Sequence, residues 1–294
     1  MPSHIPVLAG PALDLLSIRP DGTYVDATFG AGGHSALILS RLGASGRLIA
    51  LDADPSAELR SIADSRFTLV RSNFRELSRT LDGLSVSTID GILFDLGVSS
   101  MQFDEAERGF SFRAAAPLDM RMDPTQGESA AEFLATADER TIADAIYEYG
   151  EEKKSRRIAR SIVALREAGT PVRDTADLAG VVARALRAPA HSRIHPATRT
   201  FQALRIHVND ELGALRDGLD AALARTKPGG RIAVISFHSL EDRIVKQRFK
   251  EDPRARVLTR KPIVADEDEL AANPRARSAK LRAAERVDDA EVAA

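Results

Sequence analysis

The residues with the clearest chemical potential are two acids and a group of glycines near the start of the chain. One apolar run ends at Asp26 and is followed by Gly30-Ala-Gly-Gly33, and a second apolar run ends at Asp52. Glycines after a buried strand allow a tight turn into a helix, and a carboxylate about 20 residues further on commonly accepts hydrogen bonds from ribose hydroxyls. The pattern predicts a nucleotide-cofactor site, and hence an enzyme. The alternative is a glycine-rich turn that only joins a strand to a helix.

The spacing of the glycines discriminates between cofactors. A dinucleotide site would read G-x-G-x-x-G, which this segment does not match. Asp26 would also repel a pyrophosphate placed at the following helix N-terminus. A cofactor with an ammonium and a sulfonium group tolerates that acid, so the pattern favours S-adenosylmethionine.

Polar residues end the other predicted strands too. Asn73 and Phe74 follow the third apolar run, Asp95 ends the fourth, and Ser236-Phe-His-Ser239 ends the fifth. Ligands of a doubly wound sheet collect at the carboxyl ends of its strands, so these side chains are expected at one edge. For any single acid, a hydrogen-bonded structural role is the alternative, because an unpaired buried carboxylate is costly.

Asp95 begins a segment, Asp95–Gln102, that stands where methyltransferases acting on exocyclic amines place an acid or Asn. In those enzymes a proline pair follows, whereas here Leu-Gly follows. An exocyclic amine shares its lone pair with the ring, and acceptors that hold its protons out of plane return that pair for attack on a methyl group. Asp95 is therefore expected to accept a hydrogen bond from the amine or from the cofactor's amino group.

Two other kinds of chemistry find little support. The segment Ser236–Arg243 contains Ser, His and Asp, but there is no G-x-S-x-G elbow, and a substrate-binding loop is the preferred interpretation. The six histidines lack an H-E-x-x-H or comparable ligand set, so no metal site is predicted.

Alternating strands and helices must position these residues. The predicted strands are separated by helical stretches, as in a doubly wound α/β sheet, until a stretch of helical periodicity without strands begins at about residue 104. We therefore expect a methyltransferase domain made of residues 1–103 and 197–294 and an inserted helical substrate-recognition subdomain at 104–196. The predicted strands are Gly22–Ala27, Arg47–Leu51, Phe67–Val70, Ile89–Phe94 and Arg231–Phe237, the last preceded by a turn at Lys227–Gly230.

Composition limits the class of protein. The 294 residues are 44% hydrophobic and carry a net charge of −2, and there is no cysteine, which excludes disulfides and thiolate chemistry. The N-terminus has no signal-peptide pattern and no apolar run is long enough to span a membrane, so a cytoplasmic protein is expected. Basic residues nevertheless cluster at Lys153–Arg166, Arg184–Arg205 and Arg254–Arg286. Each cluster alone favours a solvated helix face, but together they leave an RNA phosphate-binding surface open.

Long motifs in this chain resemble those of the ribosomal RNA small-subunit methyltransferase H family, almost from end to end. The resemblance implies a Rossmann-like class I methyltransferase fold and methylation of the exocyclic N4 of a cytidine in the decoding region of 16S ribosomal RNA, with S-adenosylmethionine as cofactor. It also implies action on RNA within the small ribosomal subunit and leaves a homodimer open. The matching strings are His4–Leu8, Asp26–Ser35, Asp90–Ser100, Gln102–Asp104, Arg108–Phe112, Pro117–Met122, His195–Ile206, Ser236–Arg243 and Asn273–Arg282.

By position, the resemblance also implies roles for individual residues. Gly32, Gly33 and His34 would line the methionine end of the cofactor, and Asp52 would bind its ribose. Phe74 would lie near the adenine, and Asp95 and Gln102 would close the site near the methyl group, with Asp95 as the candidate catalytic residue.

Two other functions remain open from the sequence. A small-molecule methyltransferase would leave the basic clusters and the insertion without a role. An RNA-binding assembly factor without catalysis would not require the acids at Asp52 and Asp95.

Overall fold

The computed structural model describes residues 5–187, 195–288 and 290, and it divides into two compact units. The first unit comprises Met1–Gly97 and Leu212–Ala294, and the second comprises Val98–Glu211. The expected insertion at 104–196 lies inside the second unit. In the described part of the chain, no helix combines the length and the hydropathy needed to cross a bilayer.

A seven-stranded sheet forms the centre of the first unit, in the order β3-β2-β1-β4-β5-β7-β6. Strands β1 to β5 are parallel, whereas β7 runs antiparallel to both β5 and β6. The fold is therefore the predicted doubly wound α/β class with a mixed sheet. The strands are β1 Thr23–Asp26, β2 Arg47–Asp52, β3 Phe67–Arg71, β4 Ile89–Asp95, β5 Thr226–Ser236, β6 Ala255–Val257 and β7 Lys280–Arg286.

Helices cover both faces of this sheet, which explains why its central strands are almost continuously apolar. Alternate side chains of one strand enter different cores: Val25 packs with α3, α10 and α11, whereas Tyr24 packs with α1 and α2. The helices of this unit are α1 Ala9–Leu16, α2 Gly33–Arg41, α3 Leu77–Gly83, α10 Glu211–Arg225, α11 Ser239–Glu251 and α12 Glu267–Ala272, with Glu211 itself assigned to the second unit.

The second unit is built from helices around a core of its own. Ser129 begins α5 with a capping box that includes Glu132, and Asp138 and Asp174 cap α6 and α8 through their side chains. The helices are α4 Ser100–Asp104, α5 Ala130–Thr136, α6 Glu139–Gly150, α7 Ser155–Glu167, α8 Thr175–Leu186 and α9 Thr198–Asn209.

Two local expectations need correction. The segment Lys227–Gly230, predicted as a turn, lies within β5, where the pairing with β4 shifts register and Gly229 adopts a positive φ of 78°. The last basic cluster, Arg254–Arg286, was considered as a surface feature, but it contains β6 and β7. Arg282 and Arg286 are buried there, because α11 and α10 cover their face of β7: Arg282 binds Asp242 of α11, and Nε of Arg286 donates to the Leu223 carbonyl oxygen of α10.

Candidate active site

The carboxyl ends of β1, β2 and β4 meet at one edge of the sheet in the first unit. Asp26 stands opposite Ala50 of β2 and Leu93 of β4, so the acids that end these three strands lie close together. We call Asp26, His34, Asp52, Asp95 and the loop 28–33 the strand-end site. Its position agrees with the general location of ligands in doubly wound sheets.

Asp52 fixes the glycine loop to the end of β2. Its Oδ2 accepts a hydrogen bond from the Gly30 amide at 2.8 Å, and its Oδ1 accepts one from the Asp54 amide at 2.9 Å. Burial raises the pKa of Asp52, although these two amide donors oppose the shift. Each carboxylate oxygen can accept a second hydrogen bond, so the side chain retains acceptor capacity for hydroxyl groups of a ligand.

The loop delivers the N-terminus of α2 to the same edge. Gly32 occupies the N-cap position with a φ of 78°, a conformation that favours glycine, and no side chain caps the helix. At Gly33 a side chain would collide with Pro6, because a Cβ atom there would lie 2.6 Å from the Pro6 Cγ. The free amide groups of the first helical turn form a place where a carboxylate can bind.

Asp26 supports this loop from inside the protein. Its side chain is fully buried, and its Oδ2 accepts a hydrogen bond from the Ser35 hydroxyl at 2.7 Å while Oδ1 accepts one from the Thr28 amide at 3.2 Å. Burial raises the pKa of Asp26 to about 6, so the carboxyl is mostly ionised at neutral pH. Without exposed surface, Asp26 acts on a ligand through its charge and through the loop it holds.

His34 and Asp95 form a pair at the centre of the strand-end site. The His34 Nδ1 lies 3.4 Å from Oδ2 of Asp95, and its Nε2 lies 3.0 Å from the Val7 carbonyl oxygen. Burial lowers the pKa of His34, but the hydrogen bond and charge of Asp95, together with the charge of Asp26, outweigh it and leave that pKa raised. The contact with Asp95 thereby stabilises the protonated form of the His34 ring.

Asp95 has an acceptor atom available for a ligand. The Asp95 amide donates to the Thr28 hydroxyl oxygen at 2.7 Å, which fixes the backbone at the end of β4. Oδ1 of Asp95 is buried and has no hydrogen-bond partner among the described residues, yet the side chain as a whole is 26% exposed. Since buried acceptors are almost always satisfied, this orphaned oxygen indicates a place for a donor from a bound molecule.

The other two expected cofactor residues have different surroundings. Phe74 lies three residues beyond the end of β3, is half-buried, and packs edge-to-face on Phe94 with ring centroids 5.5 Å apart. Gln102 belongs to the second unit, where it is buried and forms a capping box with Ser99 at the start of α4. The strand-end site and Phe74 thus lie in the first unit, together with Gly32 and Gly33.

Several supporting residues were not singled out from the sequence. Thr28 and Ser35 both lie inside the glycine-containing motif, and their hydroxyl groups bind Asp95 and Asp26. Pro6 and Val7 contact Gly33 and His34 from the N-terminal segment. For Thr28 and Ser35, the position of a hydroxyl residue beside the glycines was a local sequence signal. For Pro6 and Val7 there was no such signal, because nothing in the sequence determines where residues 5–8 lie.

The segment Ser236–Arg243 forms the start of a helix. His238 caps α11 and forms a capping box with Glu241, whose Oε2 also accepts a hydrogen bond from the Phe237 amide at 2.8 Å. The Ser236 hydroxyl is buried and donates to the Lys280 carbonyl oxygen at 3.3 Å. His238, Glu241 and Ser236 thus all bond to backbone groups, and the first two fix the start of α11.

Motifs distant in sequence meet in the second unit. Asn209 donates from Nδ2 to the Met120 carbonyl oxygen and accepts from the Met122 amide, both at 2.7 Å. His195 stacks on Phe112 with centroids 4.4 Å apart, and its Nδ1 accepts from the Ala197 amide at the start of α9. The start of the basic cluster Arg184–Arg205 is described only to residue 187, because residues 188–194 lie outside the described ranges.

Proteins with similar sequences agree with the methyltransferase interpretation of this geometry. Relatives named ribosomal RNA small subunit methyltransferase H include one from Methylibium petroleiphilum, 53% identical over 97% of this chain and 96% of its own length. Another, from Heliobacterium modesticaldum, is 50% identical over 97% and 98% of the two chains. A solved structure of an rRNA methylase from Streptococcus thermophilus is 11% identical, with a TM-score of 0.46 over 97% of this chain and 100% of that one.

The model of the MraW methylase family matches residues 1–287. The chain therefore belongs to the MraW methylase family and is a methyltransferase.

Proposed function

We propose that this protein transfers a methyl group from S-adenosylmethionine to the exocyclic N4 of a cytidine in the decoding region of 16S ribosomal RNA. The observation that carries the proposal is the buried, unpartnered Oδ1 of Asp95 at the end of β4. An amine donor fits that atom, and the names of the relatives point to small-subunit ribosomal RNA. The resemblance of the motifs supplies the cytidine and its location.

The charges of the strand-end site suit the proposed cofactor. The α2 N-terminus at Gly33 and His34 suits the methionine carboxylate, and the acids Asp26 and Asp95 suit the ammonium and sulfonium charges. Asp52 would accept hydrogen bonds from the ribose hydroxyls, and Phe74 would contact the adenine. Gly32 would provide room beside the methionine end, and Gln102 is proposed to close the site.

Asp95 would be the main catalytic residue. When bound, the cofactor supplies an electrophilic methyl group. Asp95 would accept a hydrogen bond from the N4 amine and thereby turn the lone pair of N4 out of conjugation with the ring. The negative charge of the Asp95 carboxylate would also stabilise the positive charge that develops on N4. His34 holds the Asp95 carboxylate in position through the contact between Nδ1 and Oδ2. N4 also loses a proton in this reaction, and the unpartnered Oδ1 of Asp95 would accept it.

The second unit is proposed to recognise the RNA, as expected for the insertion at 104–196. Its motifs around Phe112 and Asn209 are held by specific stacking and hydrogen bonds, which is a suitable basis for a rigid binding surface. The proposed partner is 16S ribosomal RNA within the small ribosomal subunit, in the cytoplasm, with a homodimer as one form of the enzyme.

The direct test is methyl transfer to small ribosomal subunits from a strain that lacks this activity. The purified protein is incubated with methyl-labelled S-adenosylmethionine, and the label is located by nuclease digestion and mass spectrometry. We expect label on N4 of one decoding-region cytidine. Label on a different atom or a different RNA, or no label from protein that binds the cofactor, would contradict the proposal.

Replacement of Asp52 tests the proposed ribose contact. Asp52→Ala removes acceptors for the ribose and for the Gly30 and Asp54 amides, so S-adenosylmethionine should bind on the order of ten- to a hundredfold more weakly. Calorimetric titration with the cofactor and with adenosine alone measures the effect, and both should weaken together. An unchanged dissociation constant for adenosine would remove Asp52 from the ribose site.

A further inference from the structure

An open groove with basic residues on both sides lies between α7 and α8 in the second unit. It has a volume of about 380 Å³ and is lined by Arg157, Ser161, Ala164 and Leu165 from α7 and by Val181, Arg184 and Ala185 from α8. The two arginines stand on different helices, while the floor between them is largely apolar. The groove belongs to one compact unit with its own core, so its walls are held by the packing of that core.

The two arginines of this groove are not neutralised by acids among the residues that the structure describes. Residues 153–166 contain six lysines and arginines and no acid. Arg157 and Arg184 are exposed, and neither pairs with a carboxylate in the part of the chain that the structure describes. Arg160 on the same helix, in contrast, lies 3.5 Å from Glu139. The groove therefore presents two guanidinium groups that remain available to an anionic ligand.

A glycine on α8, Gly180, provides space for the guanidinium group of Arg184. A Cβ atom at Gly180 would lie 3.2 Å from Nη1 of Arg184, closer than most Cβ contacts. The Arg184 side chain thus runs back along α8 over the bare backbone of Gly180, in the direction that helical side chains follow. Glycine inside a helix costs roughly 1 kcal/mol relative to alanine, which makes its use beside Arg184 notable.

We propose that the groove binds the sugar-phosphate backbone of the substrate RNA, with Arg157 and Arg184 each on a phosphate and a nucleoside against Leu165 and Val181. One guanidinium group can donate two parallel hydrogen bonds to the oxygens of a phosphate, and an apolar floor suits the face of a base or ribose. This inference rests on the proposed function, because that function requires the protein to bind RNA. An acidic polypeptide is the competing ligand, and it would make no use of the apolar floor.

The test compares the wild type with the double variant Arg157→Gln and Arg184→Gln. Two readouts are used: methyl transfer to unmethylated small ribosomal subunits, and anisotropy of a short labelled single-stranded RNA over a range of salt concentrations. We expect KM for subunits to rise about tenfold while kcat stays unchanged. The slope of the logarithm of the RNA association constant against the logarithm of the salt concentration should fall in magnitude by about 1 to 2. Cofactor affinity should not change, because neither arginine belongs to the proposed cofactor site.

A matched control removes the same charge elsewhere. Arg41→Gln with Arg140→Gln changes two exposed arginines that already lie near acids, Asp14 and Asp144, and it should leave KM and the salt slope as in the wild type. A third variant, Ala164→Glu, keeps both arginines and places a negative charge at an exposed residue that lines the groove. It should weaken RNA binding as the double variant does.

Failure of the inference and failure of the proposed function give different results. Unchanged KM and salt slope in both groove variants, with normal methylation by the wild type, would overturn the groove assignment alone. If the wild type methylates no subunits, the anisotropy measurement still decides whether RNA binding depends on the groove. Competition by poly-glutamate at the same charge concentration as RNA would also overturn the assignment.

Discussion

Replacing Asp95 with alanine should lower the rate of methyl transfer by a hundredfold or more while the protein stays folded. A hundredfold corresponds to about 2.7 kcal/mol of transition-state stabilisation, the scale expected when one positioned acceptor is lost. The fold should persist because the Asp95 backbone amide still donates to Thr28 and the neighbouring residues of β4 are unchanged. Single-turnover kinetics at saturating cofactor, with the melting temperature as a folding check, measure both parts of the prediction.

Three comparisons separate a catalytic Asp95 from a merely structural one. Asp95→Asn retains one oxygen acceptor and should lose less activity than alanine, and Asp14→Ala, an exposed acid on α1, should lose none. The alanine variant should also lower the pKa of His34, because the hydrogen bond and charge of Asp95 help to raise it; titration of the His34 ring by NMR would show this. If kcat is retained and only the cofactor dissociation constant rises, Asp95 serves the cofactor and not the amine.

The sequence was sufficient to predict most of the strand-end site. Asp26, Asp52 and Asp95 each end an apolar run, and parallel strands necessarily bring such ends to one edge, so spacing alone placed them together. It did not reveal that Asp26 is fully buried, because burial depends on Ser35 and Thr28 lying over it. The contacts of Pro6 and Val7 depend on where the N-terminal segment lies in space, which no local pattern determines.

Some strands of the sheet could likewise be predicted from the sequence, and others could not. The five parallel strands were predicted because continuous apolar runs identify strands with both faces covered. Strand β7 was missed, since four of the seven residues in Lys280-Leu-Arg-Ala-Ala-Glu-Arg286 are charged and the segment resembles a basic surface segment. It lies inside the sheet, between β5 and β6, and its arginines find partners there: Arg282 binds Asp242, and Nε of Arg286 donates to the Leu223 carbonyl oxygen. Those partners are distant in sequence, so the charge pattern alone was misleading.

The ion pair that makes β7 possible gives the largest expected loss of stability. Asp242 on α11 receives Nε of Arg282 at 2.6 Å and lies 3.3 Å from Nζ of Lys280, and the Arg282 side chain is only 8% exposed. Burial raises the pKa of Asp242, but the hydrogen bond and charge of Arg282, with those of Lys280, lower it overall. Asp242→Ala would leave the Arg282 guanidinium buried without its partner, so the first unit should lose about 3 to 5 kcal/mol of unfolding free energy.

Chemical denaturation, with amide hydrogen exchange in β7 as a local probe, measures this loss. Asp220→Ala provides the control, because the side chain of Asp220 is 59% exposed and its partner Arg248 keeps a second contact with Asp252; its cost should stay below about 1 kcal/mol. The double variant Asp242→Leu with Arg282→Met removes both charges and should recover much of the lost stability, since an apolar pair needs no desolvated ion. If the double variant is instead as unstable as the sum of its single replacements, packing and not the unpaired charge determines the cost. In that case β7 would be held in the sheet by Leu281, Ala283 and Ala284 rather than by its buried arginines.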